Sequence, residues 1–356
     1  MKKVLIALLA IVLALLLVAG GYVAYVFIDY HRIEDDLELE VNQRAEGALD
    51  ASGELTIVSW NVGFGAYNSD YSFFMDGGTE SRAWSKEITQ SNIETAIATL
   101  EGLNPDLIYI QELDTDSTRS YHVNQRQMVE DAFGGMSAVF AQNYDSSYLF
   151  YPVTKPIGAS KSGILTLASA EISGAVRRSL PIESGFRKFF DLDRCYSVSR
   201  VPLTDGGELC LFNLHLSAYT ADGVATTEQV KLLLAEMQAE REAGHYVIAG
   251  GDFNKDVWGN SPEITGISGE DYSWAQPFPV ELLPENFTLV NSLNPENPVL
   301  SCRDTGAAYE KGTTFEVTLD GFIVSDNVEV TSCEVIDTGF EVTDHNPVKM
   351  TFRLGE

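Results

Sequence analysis

Asp252 and Asn254 are the residues whose types and spacing most clearly suggest chemistry. They follow the apolar segment 246–249 and the glycine pair Gly250-Gly251. Two residues apart at the end of a strand, an acid and an amide project to the same side of a sheet. The carboxylate can accept hydrogen bonds or hold a metal ion, and the amide can donate to an oxyanion. This pair of groups suits reactions at phosphate.

Other polar groups lie beside apolar segments that read as strands, and we expect each group to end its strand. Because the carboxyl ends of neighbouring strands meet at one edge of an α/β sheet, these groups should gather at a shared site. The groups are Ser59-Trp60-Asn61, Gln111-Glu112, Asn213-Leu214-His215, Asp320 and Asp344-His345.

The segments that must position these groups alternate between strand and helix patterns. A helix that leads directly into a strand favours a mixed sheet with helices outside. Asp205-Gly206-Gly207 predicts a hairpin turn, and residues 259–314 predict long surface loops near the site. Strands are predicted at 55–60, 106–111, 163–169, 197–202, 208–214, 246–249, 318–324 and 347–353, and amphipathic helices at 85–101 and 226–243.

Residues 1–28 differ sharply from the rest and predict a transmembrane anchor. After Lys2 and Lys3, residues 4–28 carry no charge, and about 20 apolar residues suffice to cross a bilayer. A cleaved signal peptide is the alternative, although this apolar run is longer than the usual core of such a peptide. The lysines precede the helix and acids follow it, which predicts a single-pass protein of the cell membrane with an extracytoplasmic domain.

The remainder reads as one domain. Residues 29–54 are expected to form a juxtamembrane linker, and no Pro/Ser-rich break divides the expected catalytic domain at 55–356. The formal net charge is −29, and such a field repels polyanions while favouring cations. Sequence-specific DNA binding is therefore disfavoured, and the acidity can also serve simply to keep the domain soluble.

The four cysteines lack the paired spacing of a zinc ribbon. Outside the cytoplasm they could form one or two disulfides, and a bond between Cys195 and Cys210 would close a hairpin. The sequence leaves the pairing of Cys195, Cys210, Cys302 and Cys333 open.

In this order the motifs resemble those of the endonuclease/exonuclease/phosphatase family, the metal-dependent phosphoesterases related to deoxyribonuclease I, sphingomyelinases and inositol-phosphate phosphatases. Each motif is short, but the ordered series is specific and spans nearly all of 55–354. The resemblance implies a four-layer α/β sandwich, two mixed sheets face to face with helices outside, here preceded by one transmembrane helix. The matching residues are Ser59-Trp60-Asn61, Gln111-Glu112, Asn213-Leu214-His215-Leu216, Gly251-Asp252-Phe253-Asn254, Leu319-Asp320-Gly321-Phe322-Ile323 and Asp344-His345-Asn346-Pro347-Val348.

The resemblance also implies catalytic roles. His345 would activate the attacking water, and Asp320 would hold its imidazole in the required tautomer. His215 would bind or protonate the phosphoryl oxygens. Asp252 would orient or protonate the leaving oxygen, and Asn254 would bind a non-bridging oxygen.

Glu112, Asn61 and Asp344 resemble the metal-site residues of the family, which implies Mg²⁺, with Mn²⁺ or Ca²⁺ as alternatives. Without the other motifs, Glu112 could be a solvated loop acid and Asn61 a turn residue. Contacts to a substrate phosphate are also proposed for three further side chains, each of which could instead be structural. These are Arg119, Tyr121 and Lys161.

The expected function is hydrolysis of a phosphate ester by in-line attack of a histidine-activated water. The substrate can be a small molecule, a lipid headgroup or a nucleic acid, and the acidity favours the first two. The alternatives are a nuclease acting on DNA or RNA and a catalytically silent binding domain of the same fold. A silent domain would be expected to lose a central residue, and none is missing. No protein partner can be inferred.

Overall fold

The computed structural model describes residues 1–183, 185–189, 191–218, 224–268 and 274–355. Short 3₁₀ turns lie at Gly63–Gly65, Phe74–Asp76, Thr118–Ser120, Gly185–Phe189 and Val280–Leu282. The helices are α1 (Lys2–Asp29), α2 (Lys86–Leu103), α3 (Gln125–Ala132), α4 (Val224–Glu242) and α5 (Ser261–Thr265). The strands are β1 (Leu37–Glu38), β2 (Val41–Asn42), β3 (Leu55–Asn61), β4 (Leu107–Asp114), β5 (Ser137–Asp145), β6 (Lys161–Ala168), β7 (Gly174–Ser179), β8 (Cys195–Pro202), β9 (Glu208–His215), β10 (Tyr246–Asp252), β11 (Phe287–Leu289), β12 (Cys302–Arg303), β13 (Glu316–Val317), β14 (Asp320–Ser325), β15 (Val328–Val335) and β16 (Val348–Leu354).

Within the described residues, the strands form two seven-stranded mixed sheets and a small ladder of β12 with β13. The first sheet has the order β15-β16-β3-β4-β6-β5-β2, and the second has the order β1-β7-β8-β9-β10-β14-β11. The neighbours β3 and β4 are parallel, as are β9 and β10. The helix between the members of each parallel pair makes the crossover that parallel strands require.

The two sheets pack face to face, with helices on both outer faces. The central core joins Ile57 and Leu107 of the first sheet to Leu211, Ile248 and Phe322 of the second. A second apolar cluster lies between the second sheet and α4, and a third lies between the first sheet and the helices α2 and α3. This arrangement confirms the predicted four-layer sandwich.

The predicted segments correspond to β3, β4, β6, β8, β9, β10, β14, β16, α2 and α4, and the predicted hairpin joins β8 to β9. The pattern did not predict β5, β7 or β15. Only part of the predicted loop region 259–314 is loop, because it also contains α5, β11 and β12. Its residues 269–273 lie outside the described part of the chain.

Part of the predicted linker 29–54 belongs to the folded domain. Leu37–Glu38 pairs with β7 at one edge of the second sheet, and Val41–Asn42 pairs with β5 at an edge of the first. The segment therefore passes from one sheet to the other. Removal of the residues before 50 would delete both edge strands. The experiments proposed below therefore require the full-length protein.

The helix α1 has a mean hydropathy of 3.0 over its most apolar 18-residue stretch, and none of that stretch is buried. Its length and composition allow it to cross a membrane. A signal sequence at the same position would share these properties.

All four cysteines are free, which corrects the expectation of a disulfide. In the β8–β9 hairpin, Cys195 lies opposite His215, and Cys210 lies opposite Arg200. Cys195 and Cys210 are thus separated by five register positions, about 17 Å along the strands. A disulfide requires Cα atoms within about 7 Å, so this pair cannot bond.

Gly251→Ala is expected to lower the free energy of unfolding by about 2 kcal/mol or more. Gly251 has φ of +141°, and a Cβ atom there would lie 2.1 Å from the carbonyl oxygen of Leu214. Chemical denaturation measures the change. Gly174→Ala is the matched control, because a Cβ at this strand glycine meets nothing within 4 Å. Equal stabilities of the two variants would contradict the role assigned to Gly251.

Candidate active site

The centre of the candidate site is one row of residues across the second sheet. On β10, Asp252 lies opposite His215 of β9 on one side and Asp320 of β14 on the other. Residues in register on neighbouring strands project to the same face. The register therefore brings together three side chains that are far apart in sequence.

Asp320 does not end its strand as predicted. It begins β14, which is antiparallel to β10, and Asp344-His345 precedes β16, which is antiparallel to β3. An antiparallel strand starts where its neighbour ends. The groups therefore meet at one edge even though the strands run in opposite directions.

His345 is held from two sides. Its Nδ1 lies 2.7 Å from Oδ2 of Asp320, and its backbone oxygen accepts a hydrogen bond of 2.8 Å from Trp60 Nε1. Ser301 Oγ donates to the same Asp320 oxygen at 2.7 Å. These contacts leave His345 Nε2 directed toward Asp252, whose Oδ2 lies 3.9 Å away.

Asp252 is the meeting point of the site. Its Oδ2 accepts a hydrogen bond of 2.9 Å from Asn61 Nδ2 and lies 3.5 Å from Nε2 of His215. Its Oδ1 accepts from the backbone N–H of Asn254 at 2.8 Å. Asp252, at the end of β10 in the second sheet, is thus hydrogen-bonded to Asn61, at the end of β3 in the first sheet.

The position of Glu112 depends on a β-bulge. The pairing of β4 with β6 shifts between Ile110 and Leu113, and Glu112 has φ of +56°. A bulge breaks the alternation of side chains and redirects one of them. Glu112 is consequently half-exposed and lines the cleft, although its strand neighbours are buried.

The cleft at this edge has a volume of about 170 Å³. The predicted residues that line it are Glu112, Arg119, His215, Asp252, Asn254, Asp344 and His345. Asn61 and Asp320 lie behind this lining and bond to its members.

The carboxylates in the cleft fit a hard divalent cation. Burial raises the pKa of Asp344 to about 6 against the opposing charges of His345 and Arg303, and the charge of Glu112 adds to the rise. A cation near both groups would relieve this repulsion. Among the described residues, Glu112 belongs to no close group of three ionisable ligands, and Mg²⁺ commonly retains several waters beside one or two carboxylates.

Asn61 lies between Glu112 and Asp252. Its Nδ2 donates to Glu112 Oε1 at 3.4 Å as well as to Asp252, and its Oδ1 accepts from the N–H of Gly63 at 3.0 Å. The amide oxygen has a second lone pair, so its role as a metal ligand stays a prediction.

The two histidines have opposite electrostatic environments. Burial lowers the pKa of His215 well below its usual value, and the charges of Arg194 and His345 act in the same direction. Burial also acts to lower the pKa of His345, but Asp320 outweighs it and holds this pKa well above the usual value. His215 is therefore a neutral hydrogen-bonding group, whereas His345 favours its protonated form.

Asn254 adopts a left-handed conformation with φ of +48°. One hydrogen of its amide nitrogen is donated to the backbone oxygen of Leu216 at 2.8 Å. An amide nitrogen has two hydrogens, so the second can still serve an oxyanion.

Gln111 and Asn213, which belong to the matched motifs, are structural. Gln111 Nε2 donates to Asn213 Oδ1 at 2.8 Å, and this bond joins β4 of the first sheet to β9 of the second. Both residues are fully buried.

The three predicted substrate contacts differ in position. Arg119 lines the cleft, but its guanidinium bonds twice to Asp114, at 2.9 and 3.1 Å, and stacks 4.0 Å from the ring centre of Phe64. Tyr121 donates to the backbone oxygen of Trp84, and Lys161 is exposed, 3.9 Å from Asp145. Neither is among the described residues that line the cleft, so only Arg119 is brought to the site.

Sequence reasoning missed Arg194, Arg303 and Ser301. Both arginines are buried and line the cleft, and Arg194 donates to Leu216 O at 2.8 Å. The sequence signal that could have identified the two arginines is their position: they are cations beside apolar segments in a strongly acidic chain.

Arg119→Met is expected to reduce the free energy of unfolding by about 3–5 kcal/mol, because it leaves the charge of the fully buried Asp114 without its cation. Thermal and chemical unfolding measure the effect. Lys161→Met is the matched control, and its exposed ion pair should contribute at most about 1 kcal/mol. A fully stable Arg119→Met protein would rule out the structural role.

No protein-family model matches the chain, and no curated protein matches it significantly. Solved structures do match. An endonuclease/exonuclease/phosphatase from Beutenbergia cavernae is 14% identical with a TM-score of 0.56, covering 85% of this chain and 72% of that one. ANGEL2, a 2',3'-cyclic phosphatase solved with adenosine-2',3'-vanadate, is 14% identical with a TM-score of 0.56, covering 90% and 99%.

The catalytic domain of human Nocturnin, solved with a bound sulfate anion, is 16% identical with a TM-score of 0.52, covering 89% of this chain and 97% of that one. Identities this low report on the fold. The sheet order, the layers and these structural matches agree, and the chain has the endonuclease/exonuclease/phosphatase fold.

Proposed function

We propose that this protein is a divalent-metal-dependent hydrolase of phosphate esters. The observation that carries the proposal is the His345–Asp320 pair, whose imidazole Nε2 is directed into a cleft containing Asp252. A carboxylate-supported histidine beside a second acid supplies a proton acceptor and a proton donor for one substitution reaction.

In this reaction His345 acts as the base, Asp320 supports it and Asp252 acts as the acid. In its neutral form, His345 Nε2 accepts a proton from the attacking water as the water oxygen bonds to phosphorus, and Asp320 stabilises the imidazolium that results. The bond from phosphorus to the leaving oxygen then breaks, and the departing alcohol takes a proton from Asp252. Burial raises the pKa of Asp252 to about 7 against the opposing charge of His345, so a protonated fraction is present near neutral pH.

His215 and Asn254 would bind the phosphoryl oxygens. His215 Nε2 lies beside Asp252 at the end of β9. Asn254 follows Asp252 just after β10, and its backbone N–H donates to Asp252. Since His215 is neutral, it can donate a hydrogen bond without carrying a full charge.

Glu112 and Asp344 would hold the cation, with Asn61 fixing Glu112 through its amide. Mg²⁺ suits these oxygen ligands, and Mn²⁺ or Ca²⁺ could replace it. When bound, the cation supplies charge stabilisation to the phosphoryl group.

We place the catalytic domain outside the cytoplasmic membrane. Lys2 and Lys3 begin α1 and precede its apolar run, whereas Asp35 and Asp36 follow the helix, and positive residues favour the cytoplasmic side. Protease treatment of intact spheroplasts tests this orientation, because an extracytoplasmic domain would be digested without lysis.

The test of activity uses full-length protein in detergent with bis(p-nitrophenyl) phosphate, a phosphate monoester, single-stranded and double-stranded DNA, RNA and dispersed sphingomyelin. Each substrate is assayed with Mg²⁺, with Mn²⁺, with Ca²⁺ and with EDTA. Metal-dependent hydrolysis of any ester supports the proposal, and cleavage of DNA or RNA alone would select the nuclease alternative. No hydrolysis, together with no metal binding by calorimetry, would favour the silent binding domain.

A further inference from the structure

An uncharged loop lies beside the anchor helix, outside the catalytic residues. Residues 148–153, which we call the aromatic loop, contain Tyr148, Phe150, Tyr151 and Val153 but no charged residue. Phe150, Tyr151 and Val153 are 56%, 65% and 84% exposed. Contiguous exposed apolar side chains on a folded domain mark a surface that contacts something apolar.

The aromatic loop is joined to α1 by specific contacts. Tyr22 donates from its hydroxyl to the backbone oxygen of Tyr148 at 3.1 Å and accepts from the N–H of Phe150 at 3.4 Å. The hydroxyl of Tyr25 accepts from the N–H of Tyr148 at 3.1 Å. The rings of Tyr22 and Phe150 meet edge to face, 5.2 Å apart. These contacts fix the loop at the level of Tyr22 and Tyr25 along the helix.

That level corresponds to the boundary of a bilayer. At about 1.5 Å per residue, the apolar run 4–28 is about 37 Å long, which exceeds the hydrocarbon thickness of about 30 Å. If residues 4–23 fill the hydrocarbon layer, Tyr22 and Tyr25 lie at its outer edge. Tyrosine is enriched at this depth because its ring is apolar and its hydroxyl is polar. The aromatic loop lies at the same depth.

Apolar contacts connect the aromatic loop to the catalytic cleft. The ring of Tyr151 lies 5.6 Å from that of Phe74, which lies 4.9 Å from Phe73. Phe73, Met75 and Ile157 line the cleft, and Met75 is 53% exposed. Ile157 also donates its N–H to the backbone oxygen of Tyr151 at 3.1 Å. The aromatic loop therefore packs against residues that form an apolar wall of the cleft.

A second part of the cleft lining also lies near the end of α1. Tyr144 and Asp191 line both the cleft and a neighbouring crevice that includes Tyr30, just after α1. Tyr30 packs against Phe189 with ring centres 5.0 Å apart. The cleft thus shares lining residues with a crevice beside the anchor helix.

Resting on the proposed hydrolase function, we propose that the aromatic loop lies in the bilayer interface and that the substrate is a phosphate ester of a membrane lipid. The apolar wall formed by Phe73, Met75 and Ile157 receives the part of the lipid nearest the phosphate. A lipid reaches the cleft along this wall without leaving the membrane surface entirely.

The contact with the membrane is apolar, not electrostatic. The net charge of −29 opposes an anionic surface, and the aromatic loop itself carries no charge. We therefore expect binding to zwitterionic phosphatidylcholine with little dependence on salt.

The depth of the loop is tested by reconstituting full-length Phe150→Trp protein into vesicles of brominated phosphatidylcholine. The bromine atoms should quench the added tryptophan beyond the quenching seen in the unsubstituted protein. Val280→Trp is the matched control, because Val280 is 58% exposed but lies in a crevice with Leu283 and Phe287, apart from the anchor. Equal quenching at the two positions would overturn the loop's placement, whether or not the protein is active.

The substrate class is tested by separating two activities of one variant. Phe150→Ser/Tyr151→Ser/Val153→Ser should lose at least about tenfold of its hydrolysis of sphingomyelin or phosphatidylcholine in vesicles. Hydrolysis of bis(p-nitrophenyl) phosphate should change by less than about twofold, since none of the three residues lines the cleft. Val280→Ser should leave both activities unchanged.

The outcomes separate the two proposals. If the unsubstituted protein hydrolyses the soluble ester but no vesicle lipid, the lipid assignment fails and the hydrolase proposal stands. Equal losses on both substrates in the triple variant would also overturn the lipid assignment. If neither substrate is hydrolysed under any metal condition, the hydrolase proposal fails together with the lipid assignment.

Discussion

His345→Ala is expected to lower kcat by about three orders of magnitude on whichever ester is hydrolysed, within the range of about 10²–10⁴ for loss of a positioned general base. The variant loses the only imidazole whose Nδ1 is held by Asp320 among the described residues, and with it the Nε2 directed into the cleft. Initial rates over a range of substrate concentrations measure kcat and KM separately. Since the lost group acts in the transition state, KM should change little.

Two further variants control for this result. Asp320→Asn retains the shape but not the charge that supports His345, so its loss should be smaller than that of His345→Ala. His122→Ala replaces an exposed histidine that pairs with Asp116 outside the cleft lining, and its rate should be unchanged. Similar rates for His345→Ala and His122→Ala would refute the role of His345.

Glu112→Gln is expected to reduce kcat/KM by about 10³-fold at a fixed Mg²⁺ concentration, and EDTA should abolish the activity of the unsubstituted protein. The amide retains the size of Glu112 but removes the negative charge that a divalent cation needs. A loss of this size corresponds to about 4 kcal/mol of transition-state stabilisation, consistent with what metal ions supply. Steady-state kinetics and calorimetric titration with Mg²⁺ measure the two effects.

The matched control is Asp116→Asn, an acid in the same segment whose side chain is 65% exposed. Its metal affinity and activity should equal those of the unsubstituted protein. If both variants lose activity alike, the effect of Glu112→Gln reflects general charge rather than a defined ion site. Restoration by excess Mg²⁺ in Glu112→Gln would further locate the defect at metal binding.

Several features of the fold were predictable because their causes are local. Alternating and continuous apolar runs defined β3, β4, β9 and β10, since strand burial depends on side chains two residues apart. The helix Lys86–Leu103 was predictable from its apolar face, and Ser85 caps it by accepting from Ile88 N. Hydropathy alone similarly marked α1.

Features that depend on distant partners could not be predicted. The strands Leu37–Glu38 and Val41–Asn42 have no periodicity of their own and form only against β7 and β5. The same is true of the pairing of Arg119 with Asp114, a buried ion pair at the edge of the cleft. Both outcomes depend on what the folded chain places opposite each residue.

The residue types beside the strands predict that Glu112, His215, Asp252 and His345 belong to one functional set. How these residues meet depends on the folded chain. The register of β9, β10 and β14 aligned His215, Asp252 and Asp320 in one row, and a bulge turned Glu112 toward the cleft. The burial pattern of a strand depends on residues close together in sequence. Strand register, by contrast, is set by packing between segments far apart in the chain.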